Sequence, residues 1–189
     1  MQARTQTSEE VEALHRIRAS RLRKAGLFGA YAEADSPEGC ACFQRYAKGR
    51  GSYLWGTCGT GKTYAAACAV RMVVLDGGRA KLMTAKALLD GIKAEWDGGE
   101  RGTLERAERY DLLALDDLGM ERPTDWAKET ITRLIDTRTM RGLPTIITSN
   151  YRLGQLRDIW GGVEGDRLAS RIMGACERVE MSGPDRRAR

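Results

Sequence analysis

From Ser52 onward, short apolar runs alternate with stretches whose apolar residues recur at helical spacing. Ser52–Trp55, Ala80–Met83, Leu112–Leu115 and Thr145–Thr148 read as strands, and a last strand is expected around Arg178–Met181. Leu112–Leu115 is apolar without alternation, which suits a strand covered on both faces. Lys62–Leu75 reads as a helix with Ala66, Val70, Val73 and Val74 inward. Ala85–Trp96 aligns Leu88, Leu89, Ile92 and Trp96, and Asp125–Arg141 turns Ala127, Ile131, Leu134 and Ile135 inward. Shorter helices are expected near Thr103–Arg109, Gln155–Trp160 and Asp166–Gly174. Strands alternating with helices argue for a parallel sheet between helical layers.

Upstream the pattern is weaker. Ser8 to about Lys24 reads as a helix, with Ser8 as its cap and Glu9 and Glu10 in the first turn. Its seam of Val11, Leu14, Arg18 and Leu22 is thin. Gly26–Gly39 holds Gly, Pro and Asp and reads as a linker, and a short helix is expected over Glu38–Lys48. The chain thus divides into a helical segment with its linker (1–48), an α/β core (49–181) and a basic tail (182–189).

With 189 residues, 42% of them hydrophobic and 30% charged, one domain with a real core is expected. The longest apolar run, Tyr64–Val70, is far short of the roughly 18 residues a membrane span needs. The polar Met1–Glu10 lacks a signal-peptide core. Five cysteines, an odd number with no CxxC pair, point to a reducing cytoplasm. Cys40-Ala-Cys42 has neither a second ligand pair nor any histidine besides His15, so a structural zinc is not expected from the spacing. The net charge of +5 sits at the ends. Residues 1–24 carry +3 and residues 182–189, with Arg186, Arg187 and Arg189, carry +2, which leaves the body neutral and suggests an acidic partner such as nucleic acid.

The chemistry concentrates at three strand ends. Gly56-Thr57-Cys58-Gly59-Thr60-Gly61-Lys62-Thr63 matches GxxxxGK[ST] between an expected strand and an expected helix, the context that motif requires. Glycines let successive amides converge on phosphate oxygens, and the helix N-terminus adds partial positive charge. Lys62 suits the β- and γ-phosphates, and the Thr63 hydroxyl suits magnesium. Tyr64 completes the candidate nucleotide-contacting stretch. Asp116 and Asp117 end an apolar strand at the edge where open α/β sheets bind ligands. Asp116 is the candidate magnesium ligand and Asp117 the candidate for orienting or deprotonating a water. Asn150, at the end of Thr145–Asn150, could bond the γ-phosphate or that water. Arg167 and Arg171 share one helix face, from which an arginine can stabilise charge on a transferring phosphoryl group. Arg138 closes the inward stripe of its helix, placed either to cap the C-terminus or to face a neighbour.

Taken together, Tyr53-Leu-Trp-Gly56 leading into Gly59–Thr63, Leu112–Gly119, Thr145–Asn150, Glu129 with Leu134–Arg138, and Arg167–Arg171 resemble the AAA+ ATPases of the DnaC/DnaI helicase-loader and IstB transposition-helper group. The resemblance spans about Gly51 to Met181. It implies a three-layer P-loop NTPase fold with a five-stranded parallel sheet, ATP and Mg2+ as cofactors, Asn150 as the sensor, and Arg171 as the arginine finger acting on a neighbouring subunit, with Arg167 second. The eight residues after Met181 leave no room for the helical lid domain of many AAA+ proteins. Asp117 stands where many of them carry glutamate, and a carboxylate one methylene shorter implies slow hydrolysis. The implied function is a DNA-stimulated ATPase that loads a replicative helicase, binds single-stranded DNA and self-associates through ATP, without a membrane. For the helical segment 1–48 the resemblance implies partner binding. A transposition helper that binds a transposase shares the same motifs. A small-molecule kinase and a non-hydrolysing ATP-gated adaptor are the other readings. Sheet-edge loops and the basic residues within Lys81–Lys93, all of them lysines, are candidates for the DNA surface.

Overall fold

The computed structural model describes residues 8–119 and 124–185. Five parallel strands form one sheet in the order β2-β3-β4-β1-β5: β1 (Gly51–Trp55), β2 (Ala80–Thr84), β3 (Leu112–Asp116), β4 (Thr145–Ser149) and β5 (Cys176–Glu180). The five-stranded parallel sheet matches the expectation from the sequence.

Strand alternation sorts the core into two layers. On one face Leu54, Leu112, Ala114 and Ile146 pack with α2 (Pro37–Ala47) and α3 (Lys62–Leu75). On the other, Tyr53, Leu113, Leu115 and Ile147 pack with α4 (Ala85–Ala94), α6 (Asp125–Met140), α7 (Leu153–Trp160) and α8 (Gly162–Ala175). The short α5 (Thr103–Ala107) contributes Ala107 to this second layer. Each fully buried Leu or Ile contributes about 1.5–3 kcal/mol. The run Ala65–Val70 of α3 is buried throughout, so this helix is walled on nearly every side.

Several boundaries differ from the sequence reading. The stretch read as a linker is partly built into the core: Leu27 and Ala34 are fully buried, Gly29–Glu33 forms a short 3-10 turn, and the Ser36 hydroxyl caps α2 by accepting from Gly39 N–H. α8 begins at Gly162 rather than Asp166, and within its first turn Gly165 sits against the Arg157 carbonyl, where no side chain would fit. It runs directly into β5, which therefore starts at Cys176 rather than Arg178.

Arg138 neither caps α6 nor faces a neighbour. Its side chain is 0% exposed, and its guanidinium donates to Ala107 O (2.8 Å), Tyr110 O (2.8 Å), Pro144 O (2.7 Å) and Thr145 Oγ1 (2.9 Å). It ties α6 to the segments entering β3 and β4, at the sheet edge away from the strand-end carboxylates. Burial pulls its pKa down to about 10.

α1 (Ser8–Lys24) packs only through its C-terminal end. Leu22 touches the core, whereas Val11, Leu14 and Ile17 stand 37%, 40% and 56% exposed. The Ser8 side chain, Arg4, Arg186, Arg187 and Arg189 lie outside the described residues. No helix among the described residues is long and apolar enough to cross a membrane.

Candidate functional site

The loop from Gly56 to Gly61 leaves the end of β1 and turns into α3 through Gly61, whose φ of +91° only glycine adopts readily. Lys62, 6% exposed, donates from Nζ to Gly56 O (2.8 Å) and Thr57 O (2.7 Å). The ammonium therefore lies against the loop, and Thr60 Oγ1 tightens the curl by donating to Thr57 O (2.9 Å).

The end of β3 meets this loop through one side chain. Thr63 Oγ1 donates to both Asp116 oxygens, at 3.0 and 3.1 Å. Asp116 is 5% exposed and also accepts from the Thr148 hydroxyl on β4. Burial pushes its carboxyl above the usual carboxylate range, the Asp117 charge adds to this, and the Thr148 and Thr63 hydroxyls and the Lys62 ammonium oppose it. A hard, oxygen-only pair that burial makes reluctant to carry charge alone is the donor chemistry a magnesium ion fits.

Asp117 is the one described non-glycine residue in the left-handed region, at φ +57°. Its N–H donates to Thr148 Oγ1 (3.0 Å), and the next amide, Leu118 N–H, donates to Thr148 O (2.9 Å). These bonds hold a conformation that aspartate tolerates better than most residues but that still carries strain. Lys62, Thr63, Tyr64, Asp117 and Asn150 line one cleft of about 520 Å³. Its far wall is Ala30 and Tyr31 of the 3-10 turn, with the Tyr31 and Tyr64 rings 6.4 Å apart.

Three residues of this site went unread in the sequence. Thr148 links Asp116 to the Asp117 amide; its only signal was a hydroxyl inside a fully buried strand. Tyr31 lay in the supposed linker, where an isolated aromatic was the clue. Asp185 returns to the loop after β5, and a Cβ on Gly59 would run into its carboxylate.

The arginine pair is elsewhere. Arg171 Nε lies 2.6 Å from Asp136 Oδ1 on α6, and Arg167 lies 3.8 Å from Asp136 Oδ2 and 3.1 Å from Glu164. Both side chains are about half exposed, and neither lines the cleft.

Residues 47–189 match the family described as IstB-like ATP binding protein. The chain belongs to that family. The replicative helicase loader DnaC of Buchnera aphidicola subsp. Baizongia pistaciae is 28% identical over 126 residues, covering 64% of this chain and 51% of that protein. The replicative helicase loader DnaI of Bacillus subtilis is 26% identical over 150 residues, covering 74% and 48%. An insertion-sequence protein of Mycobacterium tuberculosis, named as ATP-binding, is 28% identical over 147 residues, covering 75% and 57%. The chain spans about half the length of the curated relatives it matches. Among solved structures, DnaI aligns with a TM-score of 0.70 at 23% identity, over 88% of this chain and 92% of that one. The DnaC helicase loader aligns with a TM-score of 0.63 at 25% identity, over 95% and 94%. The fold is thus the P-loop NTPase α/β fold that the resemblance implied.

Proposed function

We propose that this IstB-like protein is a slow, DNA-stimulated ATPase that assembles through ATP and acts as a DnaC-like helicase loader. The observation that carries the catalytic half is the Thr63–Asp116 pairing, with Lys62, Asp117 and Asn150 on one cleft. The loop amides and Lys62 hold the β- and γ-phosphates, and Gly56 to Tyr64 form the nucleotide-contacting stretch. Thr63 and Asp116 would hold magnesium, which supplies charge neutralisation at those phosphates. Asp117 orients the attacking water. Asn150 reads the γ-phosphate.

In this reading Arg171 and Arg167, which pair with Asp136 and do not line their own cleft, act on ATP held by a neighbouring subunit. Arg171→Ala is expected to leave ATP affinity intact and to cut hydrolysis by about 10³-fold, as for other arginine fingers. Nucleotide titration beside phosphate release checks this; loss of binding in the monomer would make Arg171 a residue of its own cleft.

A second surface supports the DNA-directed half. Trp96 is 68% exposed and stands edge-on to Trp126 at 5.4 Å, while Lys93 Nζ lies 5.2 Å over the Trp126 ring. An exposed aromatic beside lysines suits the stacking and charge of a single strand. Lys86 and Lys93 line a groove of about 340 Å³ that shares Asp117 with the nucleotide cleft, so strand binding and water positioning meet at one residue. The test is an ATPase titration with single- and double-stranded DNA at two salt concentrations. Single strands are expected to stimulate turnover, and more weakly at high salt. Trp96→Ala is expected to cost about 1–3 kcal/mol of single-strand affinity with basal turnover unchanged. Equal strand affinity in that variant would remove the surface from the account.

The exposed Val11, Leu14 and Ile17 of α1 support a protein partner, a replicative helicase in this reading. A transposition helper that binds a transposase is the second reading, favoured by the IstB-like family match and the insertion-sequence relative. Co-purification with a helicase or with a transposase separates the two.

A further inference from the structure

Asp35, Cys40 and Cys68 have no part in the nucleotide cleft, yet they converge. Asp35 precedes the cap of α2, Cys40 lies in the first turns of α2, and Cys68 lies on α3. One ligand atom from each, a carboxylate oxygen and two sulfurs, lies within 4.8 Å of the other two. The approach depends on Gly39, where any Cβ would collide with Cys68 and the Ala65 carbonyl, so the two helices meet with no side chain between them. Cys68 is 1% exposed, Cys40 is half-buried and Asp35 is exposed, which leaves an entry path on the carboxylate side.

We propose that Asp35, Cys40 and Cys68 bind one thiolate-preferring divalent cation, zinc, with solvent in the fourth position. The geometry is close to what this needs. A tetrahedral centre with metal–sulfur bonds of about 2.3 Å sets its ligand atoms roughly 3.7 Å apart, so the three atoms close by about 1 Å at most. Two sulfurs favour zinc over magnesium or calcium, which take oxygen ligands. Ligation releases the two thiol protons to solvent, leaving two thiolates and one carboxylate on the ion. The spacing Cys40-Ala-Cys42 misdirects here. Cys42 is buried in the core on α2 and is not part of the cluster, and the second thiol comes from a different helix.

The site would act as a clamp. Asp35 N–H donates to the Tyr64 hydroxyl (3.3 Å), and the turn just before it carries Ala30 and Tyr31, the far wall of the nucleotide cleft. A cation there would pin this wall to α3.

The test uses the full chain, reduced and stripped with a chelator, then titrated with Co2+ and with Zn2+. One equivalent per chain is expected, with a thiolate-to-cobalt charge-transfer band that zinc displaces and a zinc-dependent rise in unfolding temperature. Cys40→Ser and Asp35→Asn, both at accessible positions, are expected to lose or weaken the band while unfolding like the metal-free wild type. Cys58→Ser, at the other accessible thiol, is expected to keep it. Absence of the band, an equal band in Cys40→Ser, or a Cys40–Cys68 disulfide that takes up no metal after reduction would each overturn the proposal.

Discussion

Lys62→Ala is expected to abolish useful ATP binding while leaving the fold intact. The Lys62 ammonium rests on the Gly56 and Thr57 carbonyls at the mouth of α3, and in the proposed function it would bond two phosphates from there. Charge-assisted hydrogen bonds are worth about 1.5–3 kcal/mol each, so losing two costs at least about 3 kcal/mol, or roughly 10²-fold in affinity. Titration with a fluorescent ATP analogue measures this, and circular dichroism checks the fold. Unchanged affinity would mean that the polyphosphate does not lie on this loop.

Arg138→Ala is expected to produce a large loss of stability without a direct effect on nucleotide binding. It removes the donors that satisfy three backbone carbonyls and the Thr145 hydroxyl in a fully buried setting. Each buried acceptor left without a partner costs about 1–3 kcal/mol, so a loss of at least about 3 kcal/mol is expected before the cavity is counted. Arg138→Lys should recover little, because one ammonium cannot copy a planar fork that reaches two strand entrances at once. Urea unfolding reads the effect as a lowered midpoint at unchanged slope. A shift under about 1 kcal/mol would show that water replaces the guanidinium easily and that the pin is not structural.

The contrast between these two residues explains what the sequence could disclose. The loop that holds Lys62 was legible because it depends on near neighbours: a glycine-rich turn, a strand before it and a helix after it. The strands β1 to β4 were legible for the same reason, each being a short apolar run with a turn signal behind it. Arg138 looked like any basic residue near a helix end, because its four partners come from two segments, the entrances to β3 and β4, that only the folded chain brings together. Thr148 is similar. A hydroxyl in an apolar strand says nothing until β3 lies beside β4 and brings Asp116 and the Asp117 amide to it. The segment around Leu27 and Ala34 was misread because its glycines, proline and aspartate signal a loop, whereas the burial of Leu27 and Ala34 ties it into the core. The start of β5 was hidden because α8 passes into it without a loop, and most of this edge strand is exposed.

The proposed triphosphate site is the run of amides between Gly59 and Thr63, with Asp116 beside it. Its most direct measurement is an amide chemical-shift map of the isotope-labelled chain, recorded with a non-hydrolysable ATP analogue and Mg2+. The largest shifts are expected at Gly59, Gly61, Lys62 and Thr63, followed by Asp117 and Asn150, with the sheet edge near Arg138 unmoved. Saturable shifts centred on any other surface, with the loop amides unchanged, would contradict it.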